Sequence, residues 1–588
     1  MKNTLDSRRR VLKAGLASMV STLPAWSALG GCAAGGASAP PMLGFTAVPV
    51  SKEDKVIVPP GYRADVLYRW GDAVGMAAGM PAFREDGGNS AEEQALQAGM
   101  HHDAIELFPL SESRALLAVN HEYTDDGLLH SDGMRSWSAE KVRKSQAAHG
   151  VAIVEIAFDG SRWSLVRPSR YARRITASTP IAFSGPAAGH ALLRTAFDPS
   201  GREALGTMSN CAGGHTPWGT YLTCEENFNM YFSNAGAVPV DQKRYGISAA
   251  GGGYRWHEHD ARFDAAANPN EPNRFGWVVE IDPLDPQAKP VKRTALGRIK
   301  HESATVTLAK DGRVVVYMGD DERYEYIYKF VSRGKFNPSD RAANKDLLDE
   351  GTLYVALFAK GGNGVWLELP GTPESLVRAR QAADAVGATK MDRPEWIAVH
   401  PGNGDVYVSL TNNDRRTEAE AEGVNPRAKN VYGHIARWSE RDGDAAATTF
   451  RWDIFALAGE DKGFANPDGL WFDRRGVLWI ETDISTSAIN RGPFEKLGNN
   501  QMLAADVRTG EIRRFLTGPA GCEITGVTMA PDGRTMFINI QHPGETASER
   551  SNPDEPRAVS NWPDFRPSGR PRSATIAIRR EDGGVIGT

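Results

Sequence analysis

Cysteine is scarce, at four in 588 residues. Only Cys211, Cys224 and Cys522 lie beyond the N-terminal segment, so a disulfide-held scaffold is excluded and one odd thiol must be free, buried or coordinated. A Cys211–Cys224 bridge across one hairpin is an open alternative. Charge of one sign is also lacking. The net charge is only -5 and no long basic block occurs, which excludes nucleic acid as an expected partner. Long apolar runs are missing too. Ala14 to Leu29 is short and rich in small residues, and does not read as a membrane span. Zinc spacing is absent: His301-Glu-Ser-Ala-Thr305 lacks the second His of a His-Glu-x-x-His motif, and His257 and His259 read as surface residues. What is plentiful is glycine, proline and tryptophan, at 61, 35 and 14, a composition that favours an all-β chain with many turns.

The first residues form an address. Ser7-Arg-Arg-Arg-Val-Leu-Lys13 fits the twin-arginine export pattern, with Val11 at the position usually held by Phe. Residues 1–39 are therefore read as a signal peptide, with the Tat machinery as a partner and a periplasmic or extracellular destination. Leu29-Gly-Gly-Cys32 resembles a lipobox, which would tether the protein to the membrane through Cys32; cleavage after Ala34 or Ala39 is the alternative. This route carries folded proteins, and suits chains that take up a cofactor before export. Residues 40–588 are expected to form one elaborated domain.

Within it one plan recurs: an acidic or thiol residue, a short apolar strand, a turn, a second strand, and a polar cluster. Asp103 opens the first unit and Asn120-His-Glu122 closes it. Cys211 and Cys224-Glu-Glu226 bound the second, and Glu302 and Asp320-Asp-Glu-Arg323 the third. The fourth runs from Arg393-Pro-Glu395 to Asn412-Asn-Asp414, the fifth from Asn466-Pro-Asp468 to Glu481-Thr-Asp483, and the sixth from Cys522-Glu523 to Gln541-His542. Periodic hairpins with Gly-rich turns predict a six-bladed β-propeller. The units are spaced more widely than the roughly 40–45 residues of a minimal blade, so helical and loop insertions are expected at 125–200, 228–297, 324–390, 415–463 and 543–572. Ser138 to Ala147 and Ser375 to Ala388 carry helical periodicity. A closed propeller needs no partner to hide its strand edges, and a monomer is expected.

In a propeller the start of each innermost strand faces one shared channel. Asp103, Cys211, Glu302, Glu395, Asp468 and Glu523 would meet there, with Glu122, Glu226, Asp321, Asp414, Asp483 and His542 at the ends of the following strands. So many carboxylates cannot stay charged together without cations or raised pKa values. Carboxylate and amide oxygens suit calcium or magnesium, whereas the thiolate of Cys211 suits iron or zinc. A mixed site follows, with an iron-like ion at Cys211 and calcium among the carboxylates. Its natural occupant is an anion, and Lys300, Arg323 and Arg393 flank the ligands. Arg323 reads as paired with a nearby carboxylate, which leaves Arg393 as the better phosphate candidate.

The blocks Asn120-His-Glu-Tyr123, Asn210-Cys-Ala-Gly-Gly through Thr223-Cys-Glu-Glu226, Trp277-Val-Val-Glu-Ile-Asp-Pro283, Lys300-His-Glu302, Met318-Gly-Asp-Asp-Glu-Arg323 and Cys522-Glu-Ile-Thr-Gly-Val527 resemble the PhoX alkaline phosphatases. The resemblance covers most of 60–570 but not the lipobox or 485–520. It implies a propeller holding Fe(3+) and Ca(2+) around a bridging oxide, and hydrolysis of phosphate monoesters without a covalent serine. By position it implies Cys211, Glu226, Glu302 and Glu395 as iron-side ligands and Asn120, Glu122, Asp321 and Asp468 as calcium-side ligands. Glu523 joins the metal set by its place in the repeat. Arg393 resembles the phosphate-contacting arginine, with Lys300 beside it, and a metal-bound oxide or hydroxide would attack in line. The rivals are a calcium-dependent propeller hydrolase of lactonase or phosphotriesterase type, and a non-enzymatic binding propeller with structural metals.

Overall fold

The six expected turns fold into six antiparallel hairpins. In chain order their strands are β1 (His102–Ser111) and β2 (Arg114–His121), β3 (Asn210–His215) and β4 (Tyr221–Glu225), β5 (Thr305–Leu308) and β6 (Arg313–Gly319). They continue with β7 (Pro394–Val399) and β8 (Val406–Leu410), β9 (Pro467–Phe472) and β10 (Val477–Thr482), β11 (Glu523–Met529) and β12 (Thr535–Gln541). The inner strands β1, β3, β5, β7, β9 and β11 each pack on the next, and β11 returns to β1. That closed cycle is the arrangement of a β-propeller. This computed structural model describes residues 41–546 and 550–588; the signal-peptide and lipobox expectations lie outside the described residues.

The second strands of the hairpins, such as β2, β6, β8, β10 and β12, are buried on both faces because their sheets are packed between two others. Along β6, Val314, Val316 and Met318 enter one core while Val315 and Tyr317 enter another, as the two-residue period of a strand requires. Two sheets are fused edge to edge where Asn363–Glu368 pairs with Thr449–Leu457, giving one nine-stranded sheet and covering two edges that would otherwise offer unpaired backbone. The chain ends close the ring. Tyr62–Arg69 pairs with Ala574–Arg580, which pairs with β12. Upstream, Gly44 N–H donates to the Gly587 carbonyl (2.9 Å).

The insertions carry the expected helices. Ala139–Ala147 starts with the Ser138 hydroxyl accepting from the Lys141 N–H (3.3 Å), an N-cap. The second is two helices rather than one, Pro373–Val377 and Ala379–Val386, ending at Gly387 with φ 77°, a left-handed C-terminal stop.

One local device aims the channel side chains. Asp103–Ala104 face Asn120 alone, Cys211–Ala212 face Cys224, Glu395–Trp396 face Ser409, and Asp468–Gly469 face Glu481. A bulge of this kind bends the strand and re-aims a side chain. Two residues before Asp103, Cys211, Glu395, Asp468 and Glu523 stand His101, Ser209, Arg393, Asn466 and Gly521, with φ of 49°, 50°, 54°, 50° and 67°. Left-handed backbone is costly for residues with a Cβ and persists where surroundings hold it. Asn466, for example, donates from Nδ2 to the Thr411 and Val431 carbonyls at 3.0 and 3.2 Å. At Gly521 an added Cβ would also lie 2.8 Å from the Glu545 carbonyl oxygen. Gly521→Ala is therefore expected to cost at least about 1–2 kcal/mol, read as a lower thermal unfolding temperature of the metal-loaded protein. Wild-type stability in this variant would refute the strain argument.

Candidate metal centre

The bulged strand ends open into a cavity of about 470 Å³ that Cys211, Glu226, Glu302, Arg393, Glu395 and Asp468 all line. Glu122, Asp321, Asp483, Glu523 and His542 line it as well. Donor atoms converge in four sets, each within 4.8 Å: Asp103, Glu122 and Cys211; Cys211, Glu226 and Glu302; Glu302, Asp321 and Glu395; Asp483, Glu523 and His542. Cys211 Sγ sits 2.8 Å from Glu302 Oε1. Cys211 and Glu302 each belong to two sets, so the first three sets run together as one centre, and the fourth, Asp483, Glu523 and His542, lines the same cavity without sharing a donor with them.

Burial pushes the carboxyls of Glu122, Glu226, Glu302, Glu395, Asp468 and Glu523 well above their ordinary range, and neighbouring carboxylates push further. The Cys211 thiol rises for the same two reasons. Asp321 goes the other way. Burial raises it, but the Arg393 guanidinium more than offsets this and holds it below its usual value. Arg393 donates bidentately to Asp321, Nε to Oδ1 at 2.9 Å and Nη2 to Oδ2 at 2.7 Å, and Nη2 lies 2.9 Å from Glu395 Oε1.

The oxygen-rich, largely buried donor set with one thiol fits hard cations plus a thiophilic transition metal. His542 fits too. Its Nδ1 faces the Gly521 carbonyl at 3.0 Å, while Nε2 lies 3.5 Å from Glu523 Oε2. A carbonyl on one ring nitrogen leaves the other with its lone pair towards the cavity.

Three expectations change. Asn120 does not offer its amide to the cavity. Its Oδ1 accepts from the Tyr221 and Thr223 hydroxyls, both at 2.9 Å, and its Nδ2 donates to the Cys211 carbonyl at 2.6 Å, so it braces the Cys211 strand instead. Asp414 is exposed and bound to Arg323 (2.9 Å), because the chain turns outward after β8. Cys211 and Cys224 are both free thiols, Cys224 being buried in the apolar core. Lys300 is buried, with Nζ 3.2 Å from Asn227 Oδ1 and from Glu322 Oε2. Asp103, Asp483 and His542 join the centre as the hairpin register implied.

Residues 43–544 match the family described as alkaline phosphatase PhoX. The chain belongs to the PhoX alkaline phosphatases. PhoX from Pseudomonas fluorescens, solved with vanadate as a transition-state analogue, is 48% identical with a TM-score of 0.88, covering 93% of this chain and all of that one. A Dyadobacter fermentans protein of unknown function (10% identical, TM-score 0.36, covering 89% of this chain and 100% of that one) and a Xanthomonas campestris gluconolactonase (10%, TM-score 0.28, covering 91% and 98%) are far more distant. No curated protein matches. As a PhoX member the chain is a metal-dependent phosphomonoesterase.

Sequence reading missed part of the cavity mouth. Tyr123 donates to Glu545 Oε1 at 2.6 Å, and Thr486 donates to Glu545 Oε2. This ties the first hairpin to the loop after β10. Thr486 falls in the stretch that carried no family signal, and nothing in its sequence marks it.

Proposed function

We propose that Cys211, Glu226, Glu302 and Glu395 hold iron, and that Glu122, Asp321 and Asp468 hold calcium, with Glu523, Asp483 and His542 completing the set. The observation that carries this is the convergence of a thiol with many buried carboxyls, six of which burial and neighbouring acids hold well above their ordinary range. When bound, the metals would neutralise phosphoryl oxygens and acidify water. The chain's own residues then orient the ester. Arg393 is held by Asp321 and Glu395; with those carboxylates serving as metal ligands its guanidinium would be free to donate to the phosphoryl group, where planar bidentate donation suits the transferring oxygens. Lys300 supports Glu226 from behind through Asn227.

The twin-arginine signal supports export to the periplasm or beyond, and the lipobox at Cys32 supports a lipid tether. Among the described residues no helix is long and apolar enough to cross a membrane.

The test uses protein purified after native export. It should hydrolyse p-nitrophenyl phosphate, be inhibited competitively by vanadate, and contain both iron and calcium. Calcium without iron, together with lactone hydrolysis, would favour the lactonase-type rival. A metal-replete preparation inert on a broad panel of phosphate esters would overturn the proposal.

A further inference from the structure

We infer that Asn227 is a positioning residue that joins Lys300 to Glu226 and fixes which carboxylate oxygen Glu226 turns to the metal centre. The inference rests on the metal-centre reading above. A lysine ammonium only donates, so its 3.2 Å contact must be with the amide oxygen of Asn227. The amide nitrogen is thereby turned the other way, and it donates to Glu226 Oε1. Glu322 Oε2 holds the same ammonium from its far side at 3.2 Å, which prevents Lys300 from turning away.

Asn227 is itself anchored. Its backbone N–H donates to the Ser209 hydroxyl (3.0 Å), and the Glu226 N–H donates to the Ser209 carbonyl (2.9 Å). Ser209 is the left-handed residue that aims Cys211, so one residue sets the geometry of both metal-facing arms of this hairpin. Asn227 also lines the cavity.

The chemistry explains an amide at this place. A lysine directly on Glu226 would form an ion pair and compete with a metal for both oxygens. An interposed amide takes one oxygen with a neutral donor and leaves the other as a ligand, while the ammonium still polarises the link. Groups of this kind behind a ligand typically alter metal affinity or activity by 10–100-fold.

The experiment compares Asn227→Ala, Asn227→Leu, Lys300→Met and the Asn227→Ala/Lys300→Met double variant, all folded by circular dichroism. Four readouts are taken: iron retained against a chelator, kcat, inhibition by inorganic phosphate, and thermal unfolding temperature. Each single variant is expected to lose iron about 10–100-fold faster, with kcat falling and phosphate inhibition little changed. The double variant should be no worse than the worse single one, since both break the same link. Asn227→Leu should behave as Asn227→Ala, because volume is not what matters. Additive losses would overturn the inference, as would intact iron retention with altered phosphate inhibition, which would make Asn227 a substrate contact. A uniform fall in unfolding temperature without coupling would reduce it to a turn residue. Wild-type protein that never carries iron would instead sink the proposed function.

Discussion

Cys211→Ala should lose iron and turnover together, with kcat down about a thousandfold. That is roughly 4 kcal/mol of transition-state stabilisation, within what a catalytic metal supplies. Cys211 is the thiol that faces the cavity. Cys224, although close in sequence, points into the apolar core and cannot replace it. The carboxylates left behind are hard donors, so calcium should remain while iron goes. Cys211→Ser sharpens the point by restoring an oxygen of similar reach, and should recover little iron. Because the deleted group borders a cavity, no buried void is created and the fold should survive. Iron and calcium by elemental analysis, beside p-nitrophenyl phosphate turnover, decide the matter. A Cys211→Ala enzyme with full iron and wild-type kcat would mean that the thiol is a bystander.

How far the centre could be read in advance depends on which level of structure sets each residue. The hairpins were legible because β-rich runs separated by Gly-containing turns have local causes. The carboxylate positions followed from their register in the repeat. What was not legible depends on backbone geometry that side-chain types do not announce. His101, Ser209 and Arg393 are ordinary residues, yet all adopt left-handed backbone two places before a channel side chain; only Gly521 declares itself. The repeat assigns both Asn120 and Asp414 to the polar clusters that close their hairpins, but Asn120 lies within β2 opposite Asp103, whereas Asp414 lies beyond the end of β8. One is captured by the hydroxyls of Tyr221 and Thr223 on the next hairpin, and the other swings outward to Arg323. Spacing alone cannot separate them. The pairing of Tyr62–Arg69 with Ala574–Arg580 spans nearly the whole chain, and no local pattern signals it.

The crowding of acids in the centre sets the sign of a pH effect that ordinary proteins do not show. With metals stripped, Glu122, Glu226, Glu302, Glu395, Asp468 and Glu523 have folded pKa values well above their unfolded ones, burial being the first cause in each. The folded metal-free chain therefore binds more protons than the unfolded chain. Stability then falls as pH rises, by about 1.4 kcal/mol per pH unit for each extra proton held. Two such protons give roughly 3 kcal/mol per unit.

The window matters, because buried bases oppose the trend elsewhere. His102 is pushed down to about 3, and His149, His301 and His434 to about 4; their contribution to stability grows with pH up to the ordinary histidine range. Lys144, Lys292 and Lys329 are lowered to about 8 and add stability above that point. Between pH 7 and 8 the histidines are mostly neutral in both states and most of the lysine effect has yet to begin, so each carboxyl that the fold still keeps protonated there gives the slope a negative sign. Metal-free protein should lose unfolding temperature across this interval. The metal-loaded protein should hold or gain, because cations displace the protons and bind more tightly as pH rises. Parallel thermal scans of the two forms at pH 7.0, 7.5 and 8.0 give the answer. A metal-free unfolding temperature that climbs with pH here would show that the centre's carboxyls ionise without help, and the requirement for cations would fall with it.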